Sequence, residues 1–217
     1  MIATFAIEIA LLAVTLWRYR LNPAHRIICL LLLLLATFQL AEFYTCTGSP
    51  SVIWSRIGFV AITFLPALSL HLIHIITHRL KWATMLGYIT ATPWALLFLL
   101  PSAFINHACN GNYVIFRLNP QYNLPYLWYY YTWLFIGLAF CLYSLWRSST
   151  NHQQRRALGA LAIGYLSFML PTMVVNTMNP ATIYAIPSIM CGFAVLYALL
   201  LALVVAPALR PPKKARG

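Results

Sequence analysis

An all-α integral membrane protein of seven transmembrane helices is the fold class the sequence predicts, and three observations carry it. The first is composition: of 217 residues, 62% are apolar and 7% charged, against about 25% charged in an average soluble domain. The second is the recurrence of apolar segments near the roughly 20 residues needed to cross a ~30 Å hydrocarbon core. The third is where the charge sits. With 14 Lys and Arg against 2 acidic residues, the net charge is +12. In a soluble protein such a balance points to nucleic acid. Here the basic residues sort by loop, which is how Lys and Arg orient membrane helices. Composition thus excludes a cytosolic enzyme, a disordered chain and a disulfide-rich secreted scaffold.

The segments run approximately 2–17, 27–44, 53–77, 82–100, 126–146, 157–175 and 182–206, forming one membrane domain over 1–209 with a basic tail at 210–217. Each break contains Pro, Gly, Asn or a basic cluster. Arg18, Arg20 and Arg26 follow the first segment, and Arg79 and Lys81 the third. Arg147, Arg155 and Arg156 follow the fifth, and Arg210, Lys213, Lys214 and Arg216 lie in the tail. That places twelve of the fourteen cations on one side, leaving Arg56 and Arg117 on the other. The positive-inside rule then puts the N-terminus outside and the C-terminus in the cytoplasm. The first segment has its charges behind the apolar run rather than before it, so it reads as a retained helix and not a signal peptide.

Pro101 to Pro125 is the longest non-helical stretch. Asn110-Gly111 signals a turn there, with Tyr113 to Phe116 as a short strand. The Tyr and Trp residues of Tyr126 to Trp133 read as an interfacial aromatic belt. Pro66, Pro93, Pro171 and Pro187 fall inside apolar segments, where membrane helices tolerate them.

Chemistry in such a chain is sought at ionisable groups within spans. Glu8 and Glu42 both fall toward the outer side, and Arg56 opens the third segment one short loop after Glu42. A Glu42–Arg56 ion pair, or a glutamate in interfacial water, is the structural reading. The functional one is an outward polar recess of Glu8, Glu42, Arg56 and His107 that binds a ligand. His71, His74 and His78 share a helical face at i, i+3 and i+7, a spacing that could offer metal ligands, although hydrogen-bonded interfacial histidines account for them equally. No metal or cofactor is expected. Cys29, Cys141 and Cys191 read as packing residues. Cys46 and Cys109 face the oxidising side and could form a disulfide. No lysine lies in the last helix for a retinal Schiff base, and Asn179-Pro180 sits at the wrong helix end for a G-protein-coupled receptor switch.

Several stretches together resemble a known family. They are Asn22-Pro23 through the leucine run to Glu42, Arg56-Ile57-Gly58 through Phe64-Leu65-Pro66 to His71, Asn106-His107, Gln153-Gln154-Arg155-Arg156, and Tyr184-Ala185-Ile186-Pro187 to Leu203. The chain is similar to the seven-helix N-terminal sensory region of bacterial histidine kinases. That resemblance implies a sensor in a bacterial cytoplasmic membrane, embedded in lipid and signalling through a membrane or cytoplasmic partner or as a homo-oligomer. Nucleic acid is not among the expected partners. Family members continue into a phosphoacceptor helix and an ATP-binding domain. This sequence shows neither, so no enzymatic activity is expected of it. The alternative is a non-catalytic accessory or scaffold subunit whose small residues, Gly159, Gly164, Gly192 and Ala194, pack against partner helices. A transporter has the weakest support, because no polar path crosses the middle.

Overall fold

The computed structural model describes residues 1–47, 52–111, 113–147 and 151–210. The basic tail beyond Arg210, with Lys213, Lys214 and Arg216, lies outside them. Helix α1 spans Ile2–Arg18 and α2 Pro23–Cys46. A third rod is α3, Ile53–Thr63, continued by α4, Leu65–Thr77. Helix α5 is Lys81–Leu99, α6 Pro120–Trp146 and α7 His152–Met178. The last rod begins as 3₁₀ turns at Pro180–Ala185 and becomes α8, Ile186–Leu200. It continues through a π-helical stretch, Leu201–Val205, into α9, Ala206–Ala208. Between α5 and α6, strands β1, Phe104–Asn110, and β2, Tyr113–Leu118, pair antiparallel.

Local chemistry sets the breaks. Asn22 accepts a hydrogen bond from the His25 amide at 2.9 Å, and Pro23 occupies the first turn of α2, the arrangement that starts a helix without orphaned donors. Asn151 and Gln154 cap α7 reciprocally. Pro66 and Pro187 prove to be first-turn residues rather than interior ones. Pro66 cannot donate to a carbonyl one turn back, so the third rod breaks at Phe64. There the Tyr129 hydroxyl donates to the Thr63 carbonyl at 2.7 Å. Pro93, Pro125 and Pro171 do lie inside helices.

Five stretches are long and apolar enough to cross a membrane by length and composition, namely Pro23–Cys46, Ile53–Thr77, Lys81–Leu99, His152–Met178 and Pro180–Ala208. The chain is a multi-pass membrane protein. Helix α1 is short at 17 residues, and α6 carries its aromatic belt.

The loops carrying Arg18, Arg79, Arg147 and Arg210 gather at one end, which we call the basic end; the strands lie at the other, the hairpin end. At the hairpin end Gly111, with φ 57°, makes the turn. Phe104, Val114, Phe116 and Leu118 are buried. The Phe104 and Phe116 rings join those of Phe59, Phe98 and Tyr126, with Phe59 about 5 Å from both Phe104 and Phe116. The first strand is absent from the sequence reading because its residues alternate poorly: Asn106, His107, Ala108 and Asn110 carry no strand pattern.

At the basic end the last rod is tied to the α1–α2 connection. His25 is buried, with Nδ1 2.6 Å from Asn22 Oδ1 and Nε2 3.0 Å from the Ala206 carbonyl. Asn22 also donates to the Leu209 carbonyl, and Arg210 lies over the Tyr19 ring at 4.5 Å. These contacts satisfy carbonyls that the helix end leaves free.

Candidate ligand-binding site

Helix α1 buries only two side chains, Glu8 and Thr15. Apolar residues such as Ile7, Ile9, Val14 and Leu16 point outward. That inversion is what a lipid solvent selects, since tails are as apolar as leucine and gain nothing from hiding it. The helix is therefore oriented by its polar residues, and Glu8 faces α2 and α8.

Glu8 is fully buried and Glu42 is 1% exposed. The two carboxyls lie within electrostatic reach of each other. Around them stand Gln39, three residues before Glu42 on α2, and Ser188 and Cys191 on α8. Ser188 lies beside the Glu42 carboxyl, and its hydroxyl oxygen accepts the Val114 amide proton from β2 at 3.0 Å. The hairpin is thereby pinned over this cluster. On the same side, Cys46 of α2 is disulfide-bonded to Cys109 of β1, with Cα atoms 5.8 Å apart.

Neither Glu8 oxygen, nor Glu42 Oε1, has a hydrogen-bond partner among the described residues. Removing an ionised carboxylate from water without a partner costs several kcal/mol. A protein retains such groups where they do something.

Of the four residues expected to form the outer recess, the structure brings Glu8 and Glu42 together. Arg56 lies at the start of α3, with its Nε buried and unpartnered next to an unpartnered Ser55 hydroxyl. Among the described residues no ion pair joins it to Glu42, so that structural reading of Glu42 does not hold. His107 sits on β1 opposite Phe116, its Nδ1 buried without a partner. Neither residue hydrogen-bonds to either carboxylate among the described residues. The helix-three histidines each find a separate role. His71 Nδ1 is 3.1 Å from the Tyr88 hydroxyl, His74 Nδ1 bonds the Arg79 carbonyl, and His78 ends α4 in the left-handed conformation with φ 56°. Among the described residues no three His, Cys, Asp or Glu side chains converge on a metal position.

The sequence does not single out Gln39 or Ser188, and it reads Cys191 as a packing residue only. The i, i+3 spacing of Gln39 and Glu42 was the available signal. Ser188 had none, because only the fold brings it across from another helix. A concavity of about 330 Å³ lies elsewhere, on the bundle surface between α6 and α7, lined by Trp128, Tyr131, Phe135, Met173 and Asn176.

A bundle of apolar helices closed at one end by a disulfide-held hairpin, with two glutamates beneath it, is the geometry to set beside known proteins. The model of the family described as the N-terminal 7TM region of histidine kinase matches residues 1–205. The chain belongs to that family. No curated protein and no solved structure matches it. The 7TM region of histidine kinases is the sensory part of those proteins and not the catalytic part, and membership makes this chain a membrane-embedded sensor region of that type. The match extends from α1 to the π-helical stretch of the last rod, so Glu8, Glu42 and the hairpin all fall within the 7TM region.

Proposed function

We propose that this 7TM region senses a ligand at its hairpin end, outside a bacterial cytoplasmic membrane, and passes the state to a separate signalling partner at the basic end. The observation that supports this most is the buried Glu8–Glu42 pair, with both Glu8 oxygens and Glu42 Oε1 lacking a hydrogen-bond partner among the described residues, under a hairpin fixed by Ser188 and the Cys46–Cys109 bridge. Arg56 Nε and His107 Nδ1 are buried and unpartnered as well, at the same end of the bundle but with no hydrogen bond or ion pair to the carboxylates among the described residues. Seven spans with the N-terminus outside fit the sorted charge.

A sensor needs two arrangements of its helices with different ligand affinity. The last rod is the natural carrier. Ser188 and Cys191 face the carboxylates at its start, and Ala206 and Leu209 are tied to His25 and Asn22 at its end. A change at the glutamates is then transmitted along one helix to the His25 contact.

Two measurements test this. In nanodiscs, the double variant Glu8→Gln/Glu42→Gln is expected to change amide exchange several-fold at residues 20–27 and 203–210, at the far end from the substitutions. Unchanged exchange there, in a folded variant, would remove the sensing reading. For orientation, Ser102→Cys and Trp146→Cys are both exposed and leave every charge in place. A membrane-impermeant maleimide is expected to label Ser102→Cys in intact cells, and Trp146→Cys only after permeabilisation. The reverse pattern overturns the orientation.

One observation favours an accessory-subunit reading instead. Gly159 and Gly192 have nothing within 4 Å of where a Cβ would stand, as a surface awaiting another helix would. Gly164 and Ala194 do not support it, because both are used in packing inside the chain. A stoichiometric protein co-purifying in mild detergent, together with a silent exchange experiment, would select that reading.

A further inference from the structure

The hydroxyl of Thr4 decides what kind of site the glutamates form. Thr4 Oγ1 lies 2.6 Å from the Met1 carbonyl and 2.8 Å from one terminal atom of the Gln39 side-chain amide. A hydroxyl has one proton. The shorter contact must use it, because a carbonyl oxygen cannot donate and two bare oxygens at that distance repel. The Gln39 atom facing Thr4 must then be the donor, which makes it the amide nitrogen. Amide oxygen and nitrogen are assigned from the network, not from shape. Turning the amide satisfies Thr4 and places the Gln39 carbonyl oxygen where an unpartnered nitrogen would otherwise be buried.

Every unpartnered polar atom in the cluster is then an acceptor: Glu8 Oε1 and Oε2, Glu42 Oε1, and Gln39 Oε1. Gln39 is 1% exposed. The geometry converges them. Helices α1 and α2 are antiparallel, and Thr4 and Gln39 mark the same level of the seam. Glu8 lies four residues from Thr4 and Glu42 three from Gln39, so about 10 Å of seam separates their Cα atoms. Side chains lean toward their own helix N-terminus, and in this antiparallel pair that tilts the two carboxylates toward each other. Ser188 already accepts from Val114 and orients Glu42; it is a positioning residue.

We propose that Glu8, Glu42 and Gln39 coordinate a single hard cation, with calcium as the best match. Oxygen-only ligands select hard ions, and carboxylates with an amide carbonyl are part of calcium's donor set of roughly six to eight oxygens, which water would complete here. Two carboxylates balance a divalent charge, for which the Met1 α-amino group, within electrostatic reach of both, is the competitor the ion has to displace. This rests on the reading of the hairpin end as the sensing site and names its ligand class.

The test uses the whole chain in nanodiscs, stripped with chelator. One ⁴⁵Ca²⁺ per chain is expected at millimolar free calcium or below, with the melting temperature raised by roughly 5 °C or more at saturation. Sodium at equal charge concentration should give a smaller rise. Glu8→Gln and Gln39→Leu should each weaken binding at least tenfold. Should Glu8→Gln fail to fold, the wild-type stoichiometry and Gln39→Leu still decide. Absence of calcium binding, with a melting temperature that rises only as pH falls, would mean the carboxyls hold protons and would overturn the proposal. A sodium response larger than calcium's overturns the choice of ion. If calcium fails while exchange at the basic end still responds to the glutamate variant, the sensing reading survives without this ligand. If calcium binds and the basic end stays silent, the site stands and the sensing reading falls.

Discussion

Replacing Cys46 and Cys109 by serine is expected to release the β1–β2 hairpin from the bundle and to lower stability more than any other pair of changes outside the core. The bridge closes a loop with a sequence separation of 63 residues. In the chain-entropy account a loop of that length corresponds to about 4 kcal/mol. That figure is a ceiling here. Helices α3, α4 and α5 lie within the loop and stay inserted in the bilayer when tertiary contacts are lost, so the freed chain is far from a random coil. The loss should concentrate where the bridge acts. Hairpin amides are expected to exchange at least tenfold faster, and the Val114–Ser188 contact, which rests on the hairpin's position, should go with them. Thermal unfolding with and without reductant, alongside exchange of residues 104–118, makes the comparison. A non-reducing digest should show the two cysteine peptides joined. An unshifted melting temperature with unaltered hairpin exchange would show that the aromatic cluster of Phe59, Phe98, Phe104 and Phe116 holds the hairpin by itself.

The same end of the molecule marks the boundary of what the sequence discloses. Helical rods are legible because each is a local property: a run of apolar residues, a cap such as Asn22 or Asn151, a proline where the ladder must stop. Phe64 is a break for such a local reason, although hydropathy runs through it without a change. The first strand is not local. Asn106 to Asn110 pair because β2 and the Cys46 anchor present a partner, and nothing in their own alternation announces it. The candidate site divides the same way. Glu8 and Glu42 stand out as the only acidic residues in the chain. Grouping them with Arg56 and His107 follows from the side of the membrane that the charge pattern predicts for all four, a coordinate in one dimension only. Azimuth around each helix separates them: α1 turns Glu8 toward α2 and α8, while Arg56 forms no ion pair with Glu42 among the described residues. Ser188, 146 positions from Glu42, becomes its neighbour through the packing of α8 on α2.

Azimuth also separates the glycines, and Gly164→Val is expected to show it with the second large effect. A Cβ at Gly164 would overlap the Tyr197 ring at Cδ2. Tyr197 cannot swing aside cheaply. It is 5% exposed, its hydroxyl is 3.1 Å from Ser69 Oγ, and its ring lies 5.8 Å from Tyr165 and 5.7 Å from Phe168. Inserting volume into a packed site of this kind costs typically 1–3 kcal/mol, and a β-branched side chain with its restricted χ1 belongs at the upper end of that range. Gly159→Ala lies on the same helix and meets no atom within 4 Å. It should be neutral or slightly stabilising, because removing a helical glycine reduces the freedom of the unfolded chain. The two variants, melted side by side in the same nanodiscs, test whether small residues on α7 serve the chain or a partner. A large loss at Gly164 and none at Gly159 assigns Gly164 to the internal α7–α8 seam. Pairing Gly164→Val with Tyr197→Leu should then recover part of the loss, a coupling that only direct contact produces. If instead Gly159→Ala abolishes an oligomer while Gly164→Val leaves the melting temperature unmoved, the seam has been placed on the wrong face of α7. Ser188 and Cys191, carried toward Glu42 by the same packing of α8, would lose their place beside the glutamates with it.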